Sequence, residues 1–240
     1  GRYNIMWRPG GGNYNDLDSR EAVEKQIQTG RQCAGLPEYV DEICYELESC
    51  PYSPLKKSPV STANEGILSI CSGCSGVAWN VMPKRLSDAE NIFNAIRSKT
   101  PFMELLSEKF KNGKNLGVYD GWHPQAQAAV PDFFSDYGGR YAEGMDEIDL
   151  LGIPRSYNLH KASAFVLQGR QPLVFSDEEI RYILSRGVYM DADAADILCK
   201  MGFGKYIGFK KGDETVDDLS EVCLNHPLNK GIEGESRTCF

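Results

Sequence analysis

No stretch of the sequence is apolar over the roughly 20 residues that a membrane-spanning helix needs. Clusters of basic residues are also missing: none exceeds a pair such as Lys56 and Lys57, and the formal net charge of the 240 residues is −8. Nucleic-acid backbones bind to surfaces rich in lysine and arginine. We therefore expect neither a membrane span nor a nucleic-acid partner.

Signatures of metal and nucleotide binding are scarce as well. The three histidines are scattered, and the CxxC motif from Cys71 to Cys74 has no second CxxC or CxxH to complete a zinc site. The glycine run at 10–12 fits neither GxGxxG nor a P-loop. Asp191 and Asp193 form a DxD pair, which we interpret as a helix cap rather than as ligands of a divalent ion. We predict no metal and no cofactor.

The eight cysteines lie within apolar runs of a long chain, unlike those of a short secreted domain. We interpret them mainly as reduced core residues, with Cys71 and Cys74 as a candidate redox pair or half of a metal site. The sequence opens without a signal-peptide pattern, so we expect a cytoplasmic protein. It also opens without a methionine, so we expect the natural amino terminus to lie upstream.

Strands and helices alternate along the first 112 residues. Strand patterns lie at 2–7, within 39–49 and at 76–82. Helix patterns lie at 18–29, at 87–97 and at 101–110. A further helix is predicted between the second and third strands, with Ser61 or Thr62 as its N-cap and Glu65 closing a capping box. This alternation predicts an α/β domain over 1–112 with parallel strands and right-handed crossovers.

The composition changes after Gly113, and a second alternation begins. A strand ends at Asp120, a helix is predicted at 125–136, and a further strand at 163–169. The helix at 176–187 carries a capping box from Ser176 to Glu179, and a short strand and a helix follow. We predict a second α/β domain over 113–240.

Two carboxylates lie on one face of the second strand. In the segment ICYELES, Ile43, Tyr45 and Leu47 share one face, whereas Glu46 and Glu48 lie on the other with Cys44. Functional groups of parallel α/β folds gather at the carboxyl ends of the strands. One interpretation places both glutamates at the mouth of a barrel, as a nucleophile and a sugar-hydroxyl acceptor. The other is a solvated acidic face on an edge strand.

Further candidate residues follow neighbouring strands. Trp7, Arg8 and Asn13 lie around the glycine run, where the indole suits stacking on a sugar and the guanidinium suits a carboxylate. Trp79 and Asn80 lie at the end of the third strand, where a buried tryptophan is an equal alternative. We interpret the group Asp120, Trp122 and His123 as structural rather than catalytic.

The segments NIMWRPGGGNYND, EICYELESCPYSPLKKS and NEGILSICSGCSGVAWNVMP together resemble the last strands of the (β/α)8 barrel in bacterial glycoside hydrolases related to GH42-type β-galactosidases. The segments NLGVYDGWHP and SAFVLQGRQPLVFSDEEIRYILSRGVYM resemble the flavodoxin-like trimerisation domain that follows such barrels. The resemblance implies a nucleophilic glutamate at the end of strand 7, which falls on Glu48 or Glu46, with Glu48 preferred. It places Arg8 at the end of strand 6, and Trp79 and Asn80 at the end of strand 8.

The same resemblance places the general acid on strand 4, and only about three of the eight barrel strands are matched here. We therefore expect a fragment of a longer enzyme that cleaves β-linked sugars, and a homo-oligomer as its assembly. Cys199 and His226 do not lie in the context of a nucleophile elbow, so we expect the second domain to be non-catalytic. A non-catalytic carbohydrate-binding or oligomerisation module is the alternative, and a doubly wound protein with RPGGGN as an anion-binding turn is a third.

Overall fold

The structure, a computed structural model, describes residues 4–9, 15–17, 19–48, 56–81, 85–112, 117–123, 152–209, 212 and 220–238. In these ranges the strands are β1 (Met6–Trp7), β2 (Glu42–Glu48), β3 (Gly76–Asn80), β4 (Val118–Tyr119), β5 (Arg155–Ser156), β6 (Ala164–Leu167), β7 (Gly187–Met190), β8 (Ser220–Val222) and β9 (Ser236–Thr238). The α-helices are α1 (Ser19–Gly35), α2 (Pro59–Cys71), α3 (Leu86–Asn112), α4 (Asp177–Leu184) and α5 (Ala192–Leu198).

The first sheet has the order β1-β2-β3, and its strands are parallel. Helix α1 joins β1 to β2, and α2 joins β2 to β3, as the alternating pattern predicted. Tyr45 and Leu47 of β2 are almost fully buried and pack with Cys74 and with Ile92 of α3. The helices therefore cover the Tyr45 face of β2, and Glu46 and Glu48 lie on the opposite face.

Helix α2 begins earlier than predicted. Its N-cap is Ser58, whose Oγ accepts a hydrogen bond of 3.1 Å from the backbone N–H of Ser61, and Pro59 occupies the first helical position. The prediction of a cap at Ser61 or Thr62 was wrong, because Ser58-Pro59 supplies a stronger start signal three residues earlier. Glu65 consequently lies inside the helix, where it is 5% exposed.

Helix α3 is one helix of 27 residues where the sequence predicted two. Pro101 lies inside it and lacks the N–H that would continue the backbone hydrogen-bond ladder. Buried residues on both sides of the proline, Ile92 and Met103, keep the two parts packed on the first sheet and α2. Tertiary packing thus outweighs the local cost of the proline.

The second sheet has the order β5-β4-β6-β7, and all its pairings are parallel. Its centre is β6, where Phe165, Val166 and Leu167 are completely buried. Ile180 and Ile183 of α4 are also completely buried in the same core. The two parallel sheets confirm the α/β class.

The remaining predicted elements differ in smaller ways. Within the described residues the first strand covers Met6–Trp7, and the helix predicted at 125–136 lies outside the described residues. An antiparallel hairpin of β8 and β9 was not predicted. Helix α5 is capped by Asp191, whose Oδ1 accepts a hydrogen bond of 2.7 Å from the Ala194 N–H, so the predicted capping role of the DxD pair is confirmed.

The capping box of α4 gives a direct test of local stability. Ser176 Oγ accepts from the Glu179 N–H at 3.3 Å, and the Ser176 N–H donates to Glu179 Oε2 at 2.8 Å. We expect Ser176→Ala to lower the free energy of unfolding by about 1 kcal/mol, measured by chemical denaturation. Ser98→Ala, at an exposed position within α3, is the control and should change it by less than about 0.5 kcal/mol. Equal effects of the two substitutions would contradict the role of the cap.

Candidate functional site

Two charged or polar pairs lie on the face of β2 that points away from the helices. Arg8, which follows β1, forms an ion pair with Glu46 Oε1. Asn80, the last residue of β3, donates a hydrogen bond of 3.2 Å from Nδ2 to Glu48 Oε1. Each of the three strands therefore contributes to one row of polar groups at the carboxyl end of the sheet. We call Arg8, Glu46, Glu48 and Asn80 the carboxylate face.

The strand register explains why these groups meet. Glu46 is in register with Ala78, and Glu48 is in register with Asn80. Cys44, on the same face, is in register with Gly76, so small residues of β3 lie beside the more central positions of β2. Glu46 is 23% exposed and Arg8 is 50% exposed, so the pair is accessible to a ligand without being fully solvated.

A buried network lies beneath the carboxylate face, on the helix side of β2. The hydroxyl of Tyr45 donates to Glu65 Oε1 at 2.5 Å, and the Lys57 ammonium pairs with Glu65 Oε2. Lys57 Nζ also donates to the backbone carbonyl of Glu48 at 2.8 Å. The network therefore connects α2 to the last residue of β2 and fixes the position of the strand end.

Burial and neighbouring charges shift the pKa values of two groups in and beside this network, Tyr45 and Lys25. Burial raises the pKa of Tyr45, and the Glu65 carboxylate raises it further, so the phenol stays protonated and donates its hydrogen bond. Lys25 of α1 lies 5.6 Å from the centre of the Tyr45 ring. Burial lowers the pKa of Lys25, and the carboxylates of Glu65, Glu48 and Glu46 oppose that shift. Three carboxylates and two lysines thus share the carboxyl end of β2.

The predicted site residues divide between the two faces of the sheet. Arg8, Glu46, Glu48 and Asn80 come together as described. Trp7 is in register with Ile43, so both lie on the helix side. Asn13 lies outside the described residues.

Trp79 is also on the helix side, because it is in register with the completely buried Leu47. Its indole packs against Gly66 of α2, where an added Cβ would lie 2.5 Å from the ring. This placement corresponds to the buried-tryptophan interpretation and leaves Asn80 as the residue of β3 on the carboxylate face. The strand alternation alone separates Trp79 from Asn80.

Sequence reasoning missed the buried network altogether. The sequence feature that could have indicated it is Glu65, a single acidic residue in the segment STANEGILSI. This glutamate lies on the buried side of α2, which faces the sheet. The sequence pattern instead predicts a capping role for Glu65, because Thr62 precedes it by three positions. A charged residue on a buried helix face needs a partner, and Lys57 is that partner.

Asp120, at the end of β4, joins the two sheets. Its side chain is 1% exposed, and Oδ2 accepts from Arg155 at 2.9 Å and from Arg31 of α1 at 2.8 Å. The Trp122 N–H donates to Oδ1 at 3.1 Å. The guanidinium of Arg31 also lies 6.0 Å from the Trp122 ring. Asp120 and Trp122 therefore form contacts between α1 and the second sheet.

His123 likewise makes structural contacts. Its Nε2 lies 3.5 Å from Glu179 Oε1, and its ring meets the edge of Phe175 at 5.4 Å between centroids. Although burial of Glu179 opposes ionisation, hydrogen bonds from Ser176 and the nearby His123 hold the pKa of that carboxyl below its usual value. The capping box and the DGWHP segment are thus connected.

Gln171 links the carboxyl ends of β4 and β6, the two strands between which the strand order of the second sheet reverses. Its side chain is 3% exposed, donates to the Asp120 carbonyl at 3.2 Å and accepts from the Gln168 N–H at 2.7 Å. Ligands of doubly wound sheets bind at such reversal points. Here the chain occupies the position with its own amide.

The described residues contain no cluster of three or more histidine, cysteine, aspartate or glutamate side chains that could hold a metal ion. Within the same ranges, no helix is both long and apolar enough to cross a bilayer.

The buried Lys57–Glu65 pair can be tested by a double substitution. Glu65→Leu alone leaves an ammonium that is 2% exposed without this carboxylate, and we expect a loss of about 3–5 kcal/mol in the free energy of unfolding. Lys57→Met combined with Glu65→Leu removes both charges and should recover most of that loss. Denaturant titration of the three proteins measures the coupling. A double variant as unstable as the single one would contradict the pair.

The Asp120 contact predicts a similar sensitivity in the other half of the chain. Asp120→Asn places a neutral amide between two guanidinium groups, and we expect it to cost about 3 kcal/mol in unfolding free energy. Asp196→Asn changes an exposed pair with Lys200 and should cost less than about 0.5 kcal/mol. Thermal and chemical unfolding of both variants tests this, and a tolerated Asp120→Asn would show that the two arginines do not depend on the carboxylate.

Comparison of the chain with protein-family models, with curated proteins and with solved structures found no match. The functional interpretation therefore depends on the geometry of the carboxylate face.

Proposed function

We propose that the chain is part of a glycoside hydrolase that cleaves β-linked sugars, with Glu48 as the nucleophile. The observation that carries the proposal is the carboxylate face itself: two glutamates, each with its own donor, at the carboxyl end of parallel strands. Strand ends of this kind are where (β/α)8 enzymes keep their catalytic residues.

The two glutamates have different surroundings, which suit different roles. Glu48 ends β2, accepts one hydrogen bond from the neutral amide of Asn80, and has its backbone carbonyl fixed by Lys57. That arrangement orients the carboxylate for attack on an anomeric carbon. Glu46 is paired with Arg8, so it is suited to accept hydrogen bonds from sugar hydroxyls and to hold the sugar in place.

The first step would form an ester between Glu48 and the anomeric carbon while the bond to the leaving oxygen breaks with its electron pair. A natural leaving group needs a proton from a carboxyl group about 5–5.5 Å from the nucleophile in a retaining enzyme. Glu46 approaches from the same strand as Glu48, and neighbours at this spacing are about 6.5–7 Å apart along the backbone. We therefore assign the general acid to a different strand from these two.

The architecture supports the same proposal. Consecutive strands β1, β2 and β3 lie side by side and parallel with helical crossovers, which is the arrangement of consecutive barrel units. In the second sheet, the order β5-β4-β6-β7 follows the 2-1-3-4 pattern of flavodoxin-like sheets. We propose the end of a (β/α)8 barrel over 1–112 and a flavodoxin-like domain over 113–240.

The alternative function is a non-catalytic module for carbohydrate binding or oligomerisation. Gln171 favours this role for the second domain, because its buried amide fills the place where a doubly wound sheet would bind a ligand. We propose that this domain serves assembly into a homo-oligomer, as the resemblance implies.

A mechanism-based label tests the nucleophile without requiring a general acid. Dinitrophenyl 2-deoxy-2-fluoro-β-glycosides of the gluco and galacto series carry a leaving group that departs without a proton, and fluorine slows hydrolysis of the ester. We expect a mass increase of one fluoroglycosyl group, located by peptide mapping at Glu48. Glu48→Gln should abolish the label.

Two further variants complete the experiment. Glu46→Gln should slow labelling by weakening the hold on the sugar while the ester still forms at Glu48. Glu42→Gln alters an exposed carboxylate of the same strand and the same face, away from the carboxyl end, and should label at the wild-type rate. Absence of label from the unaltered chain, or label that persists in Glu48→Gln, would overturn the assignment.

A further inference from the structure

The CSGC motif places its second cysteine beside a different helix. Cys71 is the last residue of α2, and Cys74 lies three positions later, in the turn that leads to β3. The Sγ of Cys74 lies 3.8 Å from the Sγ of Cys33 in α1, 41 residues earlier in the chain. The sulfur contact therefore joins two elements of the helix layer rather than the two ends of the motif.

The turn after α2 brings the two sulfurs into contact. Gly73 has a φ of +108°, a conformation that glycine adopts without strain, and it directs the chain toward α1. An added Cβ at Gly73 would lie 3.3 Å from the Cβ of Cys33, so the backbone passes close to that residue. Both cysteines pack in the core cluster of the first sheet, with Cys74 only 4% exposed and Cys33 partly exposed.

We propose that Cys33 and Cys74 form a reversible disulfide, with a low-molecular-weight disulfide such as oxidised glutathione as the oxidant. A disulfide requires the sulfurs to approach to about 2.05 Å. Rotation of the Cys33 side chain on α1 and of the Cys74 side chain in the turn closes the remaining gap, since the sulfurs already lie 3.8 Å apart.

The different exposure of the two thiols determines which of them reacts first with the oxidant. Cys33 is the accessible thiol, so its thiolate attacks one sulfur of the oxidant and one small thiolate leaves with the electron pair. Cys74 then loses its proton to solvent and attacks the Cys33 sulfur of the mixed disulfide, releasing the second small thiolate. Two protein thiols are oxidised to one disulfide, and one small disulfide is reduced to two thiols.

The hydrogen bond between the two sulfurs favours the same order. It lowers the pKa of Cys33, although burial opposes that shift, and together with burial it raises the pKa of Cys74. In contrast, burial raises the pKa of Cys71. These directions agree with Cys33, the more exposed of the two paired thiols, as the attacking group.

The test is oxidation of the reduced 240-residue chain with oxidised glutathione, followed by alkylation of the remaining thiols and peptide mass spectrometry. We expect a cross-linked peptide pair that joins Cys33 to Cys74 with the loss of two hydrogens. The midpoint of thermal unfolding should rise by at least about 4 °C and return to its former value on reduction.

Three variants determine which thiols react. Cys74→Ser should stop the reaction at a mixed disulfide of Cys33 with glutathione, and Cys74→Ala serves the same purpose if the serine variant folds poorly. Cys71→Ser is the matched control within the motif and should give the same cross-link as the unaltered chain. A cross-link between Cys71 and Cys74, or both thiols of the Cys33–Cys74 pair remaining free to alkylate, would overturn the proposal.

Discussion

The ion pair between Lys57 and Glu65 is the constraint on which the first sheet depends. Both side chains are almost fully buried, and between them they contact α2, the Tyr45 hydroxyl and the backbone at the end of β2. A buried ion pair adds little net stability over a well-packed apolar pair. It does require that the surrounding hydrogen-bond partners are held in fixed positions, because the desolvated charges are otherwise not compensated. The orientation of the last strand residue, and with it the carboxylate face, follows from that geometry.

Helix α1 connects the two halves of the molecule. Its Arg31 reaches Asp120 at the end of β4, and its Cys33 lies against the turn before β3. Gly30, in the same turn of the helix, leaves space for the ring of Tyr157 in the second half. A movement of α1 would therefore affect the first sheet through the cysteine and the second sheet through the arginine.

Local patterns predicted the parts of the fold that depend on local interactions. The alternating strands, the face shared by Glu46 and Glu48, and the Ser176–Glu179 box all follow from spacings of two or three residues. The same reasoning failed at Thr62 and Glu65, which match the spacing of a capping box equally well. There the helix begins at Ser58 and Pro59 instead, so Glu65 lies inside α2, where it pairs with Lys57.

Contacts between distant residues could not be predicted in this way. Arg31 and Asp120 are 89 positions apart, and Cys33 and Cys74 are 41 apart, so no periodicity connects them. The placement of Trp79 is different, because strand alternation already implies that it and Asn80 face opposite sides. The geometry of the strand thus separates two residues that its composition alone groups together.

Gly66, the residue after Glu65, sets how closely α2 approaches β3. Without a side chain it admits the Trp79 ring, and it weakens the helix by roughly 1 kcal/mol relative to alanine. The Trp79 indole therefore fills the space between α2 and β3 and determines the distance between them. Glu65 is adjacent to Gly66 in α2. The packing of the Trp79 ring on Gly66 therefore also determines where the Glu65 carboxylate lies when it pairs with Lys57.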